Sequence, residues 1–331
     1  MSFGDTYVQL FNTSRSALKA VSPKLRVGGP ATMELRSVAE FLSAFPDADF
    51  ASTHTYPTDY CNSDPANLDC FTDGIIAAKK QAKHTPFLIT EYSCGWKNSA
   101  IHGGESTSYS ASFALRTIAA LADAGLEALS WWTFSMLFDE DSGGVVNHAV
   151  TGNEFGQNKS GADAAWQTVS GVPLPSYRAF QLLKDAGDTR LPVAIAGRNT
   201  TDGMDTTLSV FATSNSSGGG AKIFLSNFRP DDGTGDAPAY AFRRSVTLRL
   251  QGLSPATRTA TVSMINSTCA NPKRVWVERQ GSVNWPDAGQ LAQLHEASEA
   301  CVSTVPVLRS GAGVATVVVE LEAYAAVAVV V

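Results

Sequence analysis

The stretch FLITEYSCGW, Phe87 to Trp96, sets an acid at the end of an apolar run. Phe87-Leu88-Ile89-Thr90 reads as a short buried strand. A carboxylate is costly inside a core, so Glu91 marks the point where the strand leaves it. Such an acid is either a solvated strand end or a group with chemistry to perform. The surrounding sequence decides between the two.

Outward from this strand, the first part of the chain alternates between helical and extended patterns. Residues 7–21 are helical in period, with Tyr7, Leu10, Phe11, Leu18 and Val21 on one face. Residues 25–27 read as a strand running into Gly28-Gly29-Pro30. A helix is predicted over 33–45, a strand over 50–53 ending in His54, and a helix over 69–82. Ser108 caps a helix over 109–124 that Gly125 stops. A strand over 128–134 carries Trp131 and Trp132, and Pro175 opens a helix over 175–186. Strand followed by helix, four times, implies a parallel sheet covered by helices, either doubly wound or a (β/α)8 barrel. The strand ends favour the barrel. Gly28-Gly29, His54 with Tyr56, Glu91, and Trp132 with Asp139 and Glu140 beyond it, all fall at C-terminal edges. Only four of the eight strands that a barrel needs are visible.

From about Leu191 the helical period disappears and short β-rich runs take over, at 208–211, 222–225, 245–250, 260–264, 274–277 and 315–331. Gly- and Asn-rich turns separate them, which predicts an antiparallel β-sandwich. The division into domains is therefore 1–190 and 191–331.

Net charge is −6, from 25 basic and 31 acidic residues, and no basic run is interleaved with aromatics, so a nucleic-acid partner is not expected. The apolar run 323–331 is too short to span a bilayer and reads as a final core strand, so no membrane partner is expected. The first residues have neither a basic nor an apolar signal region. Yet five of the thirteen asparagines lie in N-x-S/T sequons: Asn12, Asn158, Asn199, Asn215 and Asn266. The five cysteines either form two bridges, Cys61 with Cys70 and two more in the C-terminal part, with Cys94 left over, or are five free thiols of a cytosolic protein. The sequons and the bridged reading together suggest a secreted, lysosomal or vacuolar protein whose signal peptide is absent from this chain.

The residues at the strand ends suit glycoside hydrolysis, which needs paired carboxylates, aromatic platforms for sugar faces and polar groups for hydroxyls. His54, Tyr56, Tyr92, Trp96, Trp132, Asp139 and Glu140 are the substrate-binding candidates around Glu91. Trp131 and Trp132 alternate, so one can pack in the core while the other lines a pocket. Other chemistries find less support. No G-x-S-x-G elbow, P-loop lysine or C-x-x-C pair occurs, so no serine hydrolase, no cofactor and no metal are expected. His84, His102, His148 and His295 are scattered.

At these residues the chain resembles glycoside hydrolase family 39, the β-xylosidases and α-L-iduronidases. ALKAVSPKLRVGGPAT (17–32) is similar to the segment running from the fourth barrel helix into the fifth strand. DFASTHTYPTD resembles the sixth strand, FLITEYSCGW the seventh, and SWWTFSMLFDE the eighth with its loop. The C-terminal NPKRVWVERQGSVNWP and ATVVVELEAYAAVAVV resemble the accessory β-domain of the xylosidase branch. The resemblance implies the C-terminal half of a (β/α)8 barrel, strands five to eight, followed by the β-sandwich. It implies Glu91 as catalytic nucleophile, His54 and Tyr56 as sugar contacts, Trp132 as the aromatic of the eighth strand, and Asp139 or Glu140 as the acidic pair after it.

Two departures stand out. The family's F-H-G-G-F-G run is here VTGNEFGQNKSGADAAW, and its W-N-E-P acid/base motif is missing. The expectation is a retaining exo-glycosidase of the β-xylosidase type acting on an oligosaccharide or glycoside, with an acid/base not in this chain and little activity from the chain alone. Should the partner carboxylate lie within the chain, Glu34, Glu140 and Glu154 are the residues to test. The alternatives are an α-L-iduronidase or other family 39 exo-glycosidase, or a non-catalytic carbohydrate-binding remnant.

Overall fold

A computed structural model describes residues 4–57, 61, 69–94, 107–132, 171–196, 207–216, 220–228, 243–281, 286–309 and 313–331. Contacts divide the chain into two compact units: Met1–Ser93 with Ala120–Trp132, and Cys94–Ala119 with Thr133–Val331.

In the first unit the order is α1 (Asp5–Val21), β1 (Gly29–Thr32), α2 (Ser37–Ala44), β2 (Ala51–His54), α3 (Cys70–Ala82), β3 (Phe87–Tyr92) and, after α4 (Ser108–Leu121), β4 (Ala128–Trp131). The four strands are all parallel and lie in the order β1-β2-β3-β4. A doubly wound sheet reverses its order at a switch point; this one advances one strand at a time in a single direction. Apolar α2 residues Val38 and Phe41 are fully buried, as are Ala51, Phe87 and Ile89 of the strands and Ile75 of α3. Phe11 of α1 closes on Phe41 and Phe45 at ring-centroid distances of 5.2 and 4.2 Å.

Two sequence expectations are corrected here. Only Tyr7 and Phe11 of the α1 stripe join an aromatic cluster; Leu10, Leu18 and Val21 are 61, 43 and 82% exposed. Residues 25–27 are not a strand. Val27 exchanges hydrogen bonds with Asp49, its N–H donating to the carboxylate and its carbonyl accepting from the Asp49 N–H. The strand begins two residues later, after Gly28, where a Cβ would fall 2.2 Å from the Phe50 carbonyl oxygen.

The second unit holds α5 (Pro175–Leu183), β5 (Thr189–Leu191), β6 (Leu208–Ser214), β7 (Ala221–Asn227), β8 (Arg244–Leu250), β9 (Thr259–Ile265), α6 (Pro272–Gln280), α7 (Ala288–Ala297), β10 (Cys301–Pro306), β11 (Leu308–Arg309), β12 (Ala315–Leu321) and β13 (Ala326–Val330). Two antiparallel sheets, β10-β9-β13-β7-β6-β5 and β11-β12-β8, share one apolar core. Val317, Val319 and Leu321 of the smaller sheet meet Leu225, Val327 and Val329 of the larger within it. The β-rich run 315–331 is thus two strands in different sheets, β12 and β13, and its apolar end 323–331 holds the second of them, in the core.

The stretch 274–277 is helix, not strand. Asn271 accepts from the Arg274 N–H, Pro272 occupies the first turn, and Gly281 ends the helix with φ 64°. Val277 is 49% exposed while Trp276 is buried against Val172, Leu174 and Leu294, a helical rather than an alternating pattern. A second helix, α7, opens with a capping box between Asp287 and Gln290.

The contact division also runs differently from a boundary at 190. The first turns of α4 pack with the β-sheets: Tyr109 and Phe113 meet Phe228, and Ser112 bonds Ser226 at 2.9 Å. In α5, buried Arg178 donates to the Ser298 carbonyl, the Ser298 hydroxyl and Glu299.

Cys61–Cys70 and Cys269–Cys301 are disulfides, with Cα atoms 5.9 and 5.4 Å apart, and Cys94 is buried. Among the described residues no helix is long and apolar enough to cross a membrane.

Candidate active site

Parallel strands bring their C-terminal ends to one edge of the sheet. There His54, at the end of β2, is the Cα partner of Glu91 on β3. Two residues beyond His54, the Tyr56 hydroxyl donates to Glu91 Oε1 at 2.6 Å. Tyr56 is 3% exposed, so it approaches the carboxylate from within the protein.

The geometry depends on an extra residue in β3. Ile89 pairs with Thr53, but the next partner of β2, His54, faces Glu91 rather than Thr90. On the other side Ile89 pairs with Leu129, and Tyr92 with Trp131. Thr90 is therefore a bulge relative to both neighbours. In an unbroken strand Glu91 would follow Phe87 and Ile89 onto their fully buried face. The bulge turns it to the opposite face, with His54, and gives Tyr92 the buried one.

β1 has its own irregularity at the same level. Ala31, with φ 57°, is inserted between Pro30, opposite Ser52, and Thr32, opposite Thr53. The Ala31 carbonyl lies 3.2 Å from His54 Nδ1. A carbonyl only accepts, so Nδ1 carries the proton of the neutral ring and Nε2 is left as an acceptor.

The structure sorts the other candidates. Trp132 is 38% exposed and its N–H donates to the Tyr92 carbonyl at 2.8 Å, which holds it one step from Glu91 in the neighbouring strand. Tyr92 does not join the cluster. It is 1% exposed, packs edge-on to Trp131 at 5.2 Å, and its hydroxyl has no hydrogen-bond partner among the described residues. Burial pushes its phenol well above the usual range, so it stays protonated. Trp96, Asp139 and Glu140 lie outside the described residues.

Glu34 is engaged elsewhere. Its carboxylate takes a two-pronged bond from Arg36 at 2.7 and 2.9 Å, and that bond lowers its pKa. No group of three metal-ligating side chains occurs among the described residues. The residues that sequence reasoning overlooked are Ala31, Thr53 and Thr90; nothing in an isolated T-E dipeptide announces a bulge.

The profile of "Glycosyl hydrolases family 39" matches residues 3–314. The chain belongs to glycosyl hydrolase family 39. A family 39 assignment accords with a β-xylosidase of Caldicellulosiruptor saccharolyticus, 27% identical over an alignment of 314 positions that covers 89% of this chain and 57% of that protein. A β-xylosidase of Geobacillus stearothermophilus is 26% identical over an alignment of 206 positions that covers 56% of this chain and 38% of that protein. The fold matches a family 39 enzyme of Xanthomonas axonopodis pv. citri with a TM-score of 0.70 at 18% identity, over 98% of this chain and 63% of that one. It also matches a family 39 β-xylosidase of Caulobacter crescentus, with a TM-score of 0.68 at 20% identity, over 98% and 61%. This chain therefore spans less than two-thirds of the length of each of these relatives.

Proposed function

We propose that the chain carries the nucleophile half of a retaining exo-glycosidase of the β-xylosidase type, with Glu91 as nucleophile. The observation that carries this reading is the 2.6 Å bond from the Tyr56 hydroxyl to Glu91 Oε1 at the C-terminal edge of a parallel sheet. That bond occupies one carboxylate oxygen and fixes its orientation, leaving Oε2 to attack. The attacking oxygen forms an ester with the anomeric carbon while the glycosidic bond breaks and its electron pair leaves on the aglycone oxygen; water then hydrolyses the glycosyl-enzyme. Acetal hydrolysis of this kind needs carboxylates alone, with no metal or cofactor.

Around Glu91, Trp132 offers a half-exposed aromatic face to a sugar ring, and His54 offers Nε2 as acceptor for a hydroxyl proton. Trp96, Asp139 and Glu140 remain sugar contacts in this reading through the family resemblance. Strands β1 to β4 correspond in it to barrel strands five to eight, with the sandwich as accessory domain. The acid/base is not assigned to this chain, which has no W-N-E-P run. Glu34 is a poor substitute: a general acid must hold its proton near neutral pH, and Arg36 keeps Glu34 ionised. Two disulfides support a secretory route.

The test is covalent trapping. An aryl xyloside with a good leaving group and fluorine beside the anomeric carbon forms the ester without needing a proton donor. Peptide mass mapping should place the label on Glu91 and find none in Glu91→Gln. Labelling at another carboxylate, or none, defeats the assignment.

A further inference from the structure

We propose that Thr90 is a positioning residue: its hydroxyl pins the β3 bulge that turns Glu91 towards Tyr56. The inference rests on the reading of Glu91 as nucleophile and goes beyond it, from the acid to the device that aims it.

A bulge leaves one residue unpaired and interrupts the ladder locally. Here side chains bridge the interruption. The Thr90 hydroxyl donates to the Thr53 carbonyl on β2 at 3.1 Å. The Thr53 hydroxyl, fully buried, donates in turn to the Thr32 carbonyl on β1. Three strands are thus tied across their bulged ends by a relay of two hydroxyls, at the level where Ala31 and Thr90 are inserted. Beyond the relay, the backbone of the site follows in register: the Thr55 N–H donates to the Glu91 carbonyl at 3.1 Å, and the Trp132 N–H to the Tyr92 carbonyl at 2.8 Å.

The alternative register shows what the relay guards against. Without the extra residue, Glu91 would occupy the face of Phe87 and Ile89, both 0% exposed, and Tyr92 would leave it. The carboxylate would lose Tyr56 and face an apolar layer. Thr90 itself is exposed, so its hydroxyl is not needed to fill a core. Its placement serves the bulge, and the residue the bulge redirects is the next in sequence.

The experiment compares the full chain with Thr90→Val, which keeps the shape and removes the donor, and Thr90→Ser, which keeps the donor. Two readouts are taken: the rate of Glu91 labelling by the fluorinated aryl xyloside, and crystal structures of all three proteins. Thr90→Val should label on the order of 100-fold more slowly, the scale of a misplacement of about 1 Å. Its Tyr56–Glu91 separation should open beyond about 3.5 Å. Thr90→Ser should restore the bond and bring the rate to within about threefold of the parent. A Thr90→Val structure with the Glu91–Tyr56 bond intact overturns the proposal, whatever the rates. If the parent chain itself is not labelled at Glu91, the nucleophile assignment fails, and the positioning role is judged by the structures alone.

Discussion

The Tyr56 hydroxyl, just beyond β2, and the Glu91 carboxylate on β3, 35 residues apart in sequence, are held 2.6 Å from each other. Neither position is locally determined. Tyr56 follows the last residue of β2 by two, and Glu91 reaches it only because β3 carries one residue more than its neighbours. Removing the phenol oxygen tests the pair directly. Tyr56→Phe keeps the buried ring and deletes one hydrogen bond to a charged acceptor, a contact of about 1.5–3 kcal/mol. Trapping at Glu91 should slow by about 10- to 100-fold, and the melting temperature should fall by several degrees. An unaltered trapping rate would show that the bond does not orient the acid.

Arg178 gives a stability prediction independent of catalysis. Its guanidinium, nearly buried, donates from Nε to the Ser298 carbonyl at 2.7 Å and from Nη2 to Glu299 at 2.6 Å. Arg178→Met should destabilise the second unit by about 2–3 kcal/mol, less than for a fully buried pair because Glu299 can rehydrate. Arg178→Lys should recover only part of this, because an ammonium cannot reproduce the fork. Urea unfolding of the three proteins measures it.

Asp49 makes stability depend on pH. Lys19 donates to its carboxylate at 2.8 Å and the Val27 N–H at 2.7 Å, and both bonds lower its pKa, Lys19 the more. A depressed folded pKa means the stabilisation is complete above the unfolded value of about 3.9 and is lost as pH falls through the folded one. Asp49→Asn should therefore be less stable than the parent near neutrality, with the gap closing below about pH 4. A gap that stays constant, or widens, as the pH falls below about 4 contradicts the assignment.

Much of this was readable in advance. The strands that carry His54 and Glu91, the Gly125 helix stop and the change to β-structure near 191 all follow from local pattern, although β3 runs one residue past Glu91, to Tyr92. What escaped was decided at longer range. Leu10 and Val21 complete an apolar stripe in the sequence yet stay in solvent, because only Tyr7 and Phe11 reach the Phe41–Phe45 cluster. The stretch Arg274–Val277 suggested a strand by its β-branched residues, although Asn271-Pro272 before it and Gly281 after it are helix boundary signals. The two bulges have no sequence signature at all, since they exist only as a mismatch in register between strands. Tyr92 sits beside Glu91 in sequence, and that same mismatch sends it to the core.

Asn266 shows a motif meeting its structural use. As a sequon it suggests a glycan, but it is 6% exposed and both ends of its amide are occupied. Oδ1 accepts from the Thr268 N–H, the Thr268 hydroxyl and the Cys269 N–H, while Nδ2 donates to the Met264 sulfur at 3.2 Å. These bonds close a turn that leads into the Cys269–Cys301 disulfide, whose sulfur partner Cys301 lies opposite Met264 in the sheet. Asn12, by contrast, is exposed on α1. When the chain is passed through a eukaryotic secretory pathway, glycopeptide mapping of the folded protein should find sugar at Asn12 and none at Asn266. Asn266→Ala should cost about 1–3 kcal/mol, because it leaves buried N–H groups without an acceptor. Asn12→Gln should leave unfolding free energy within about 0.5 kcal/mol of the parent. A folded protein bearing glycan at Asn266 would mean that the amide is not held in the turn, and the stability difference between the two substitutions should then vanish.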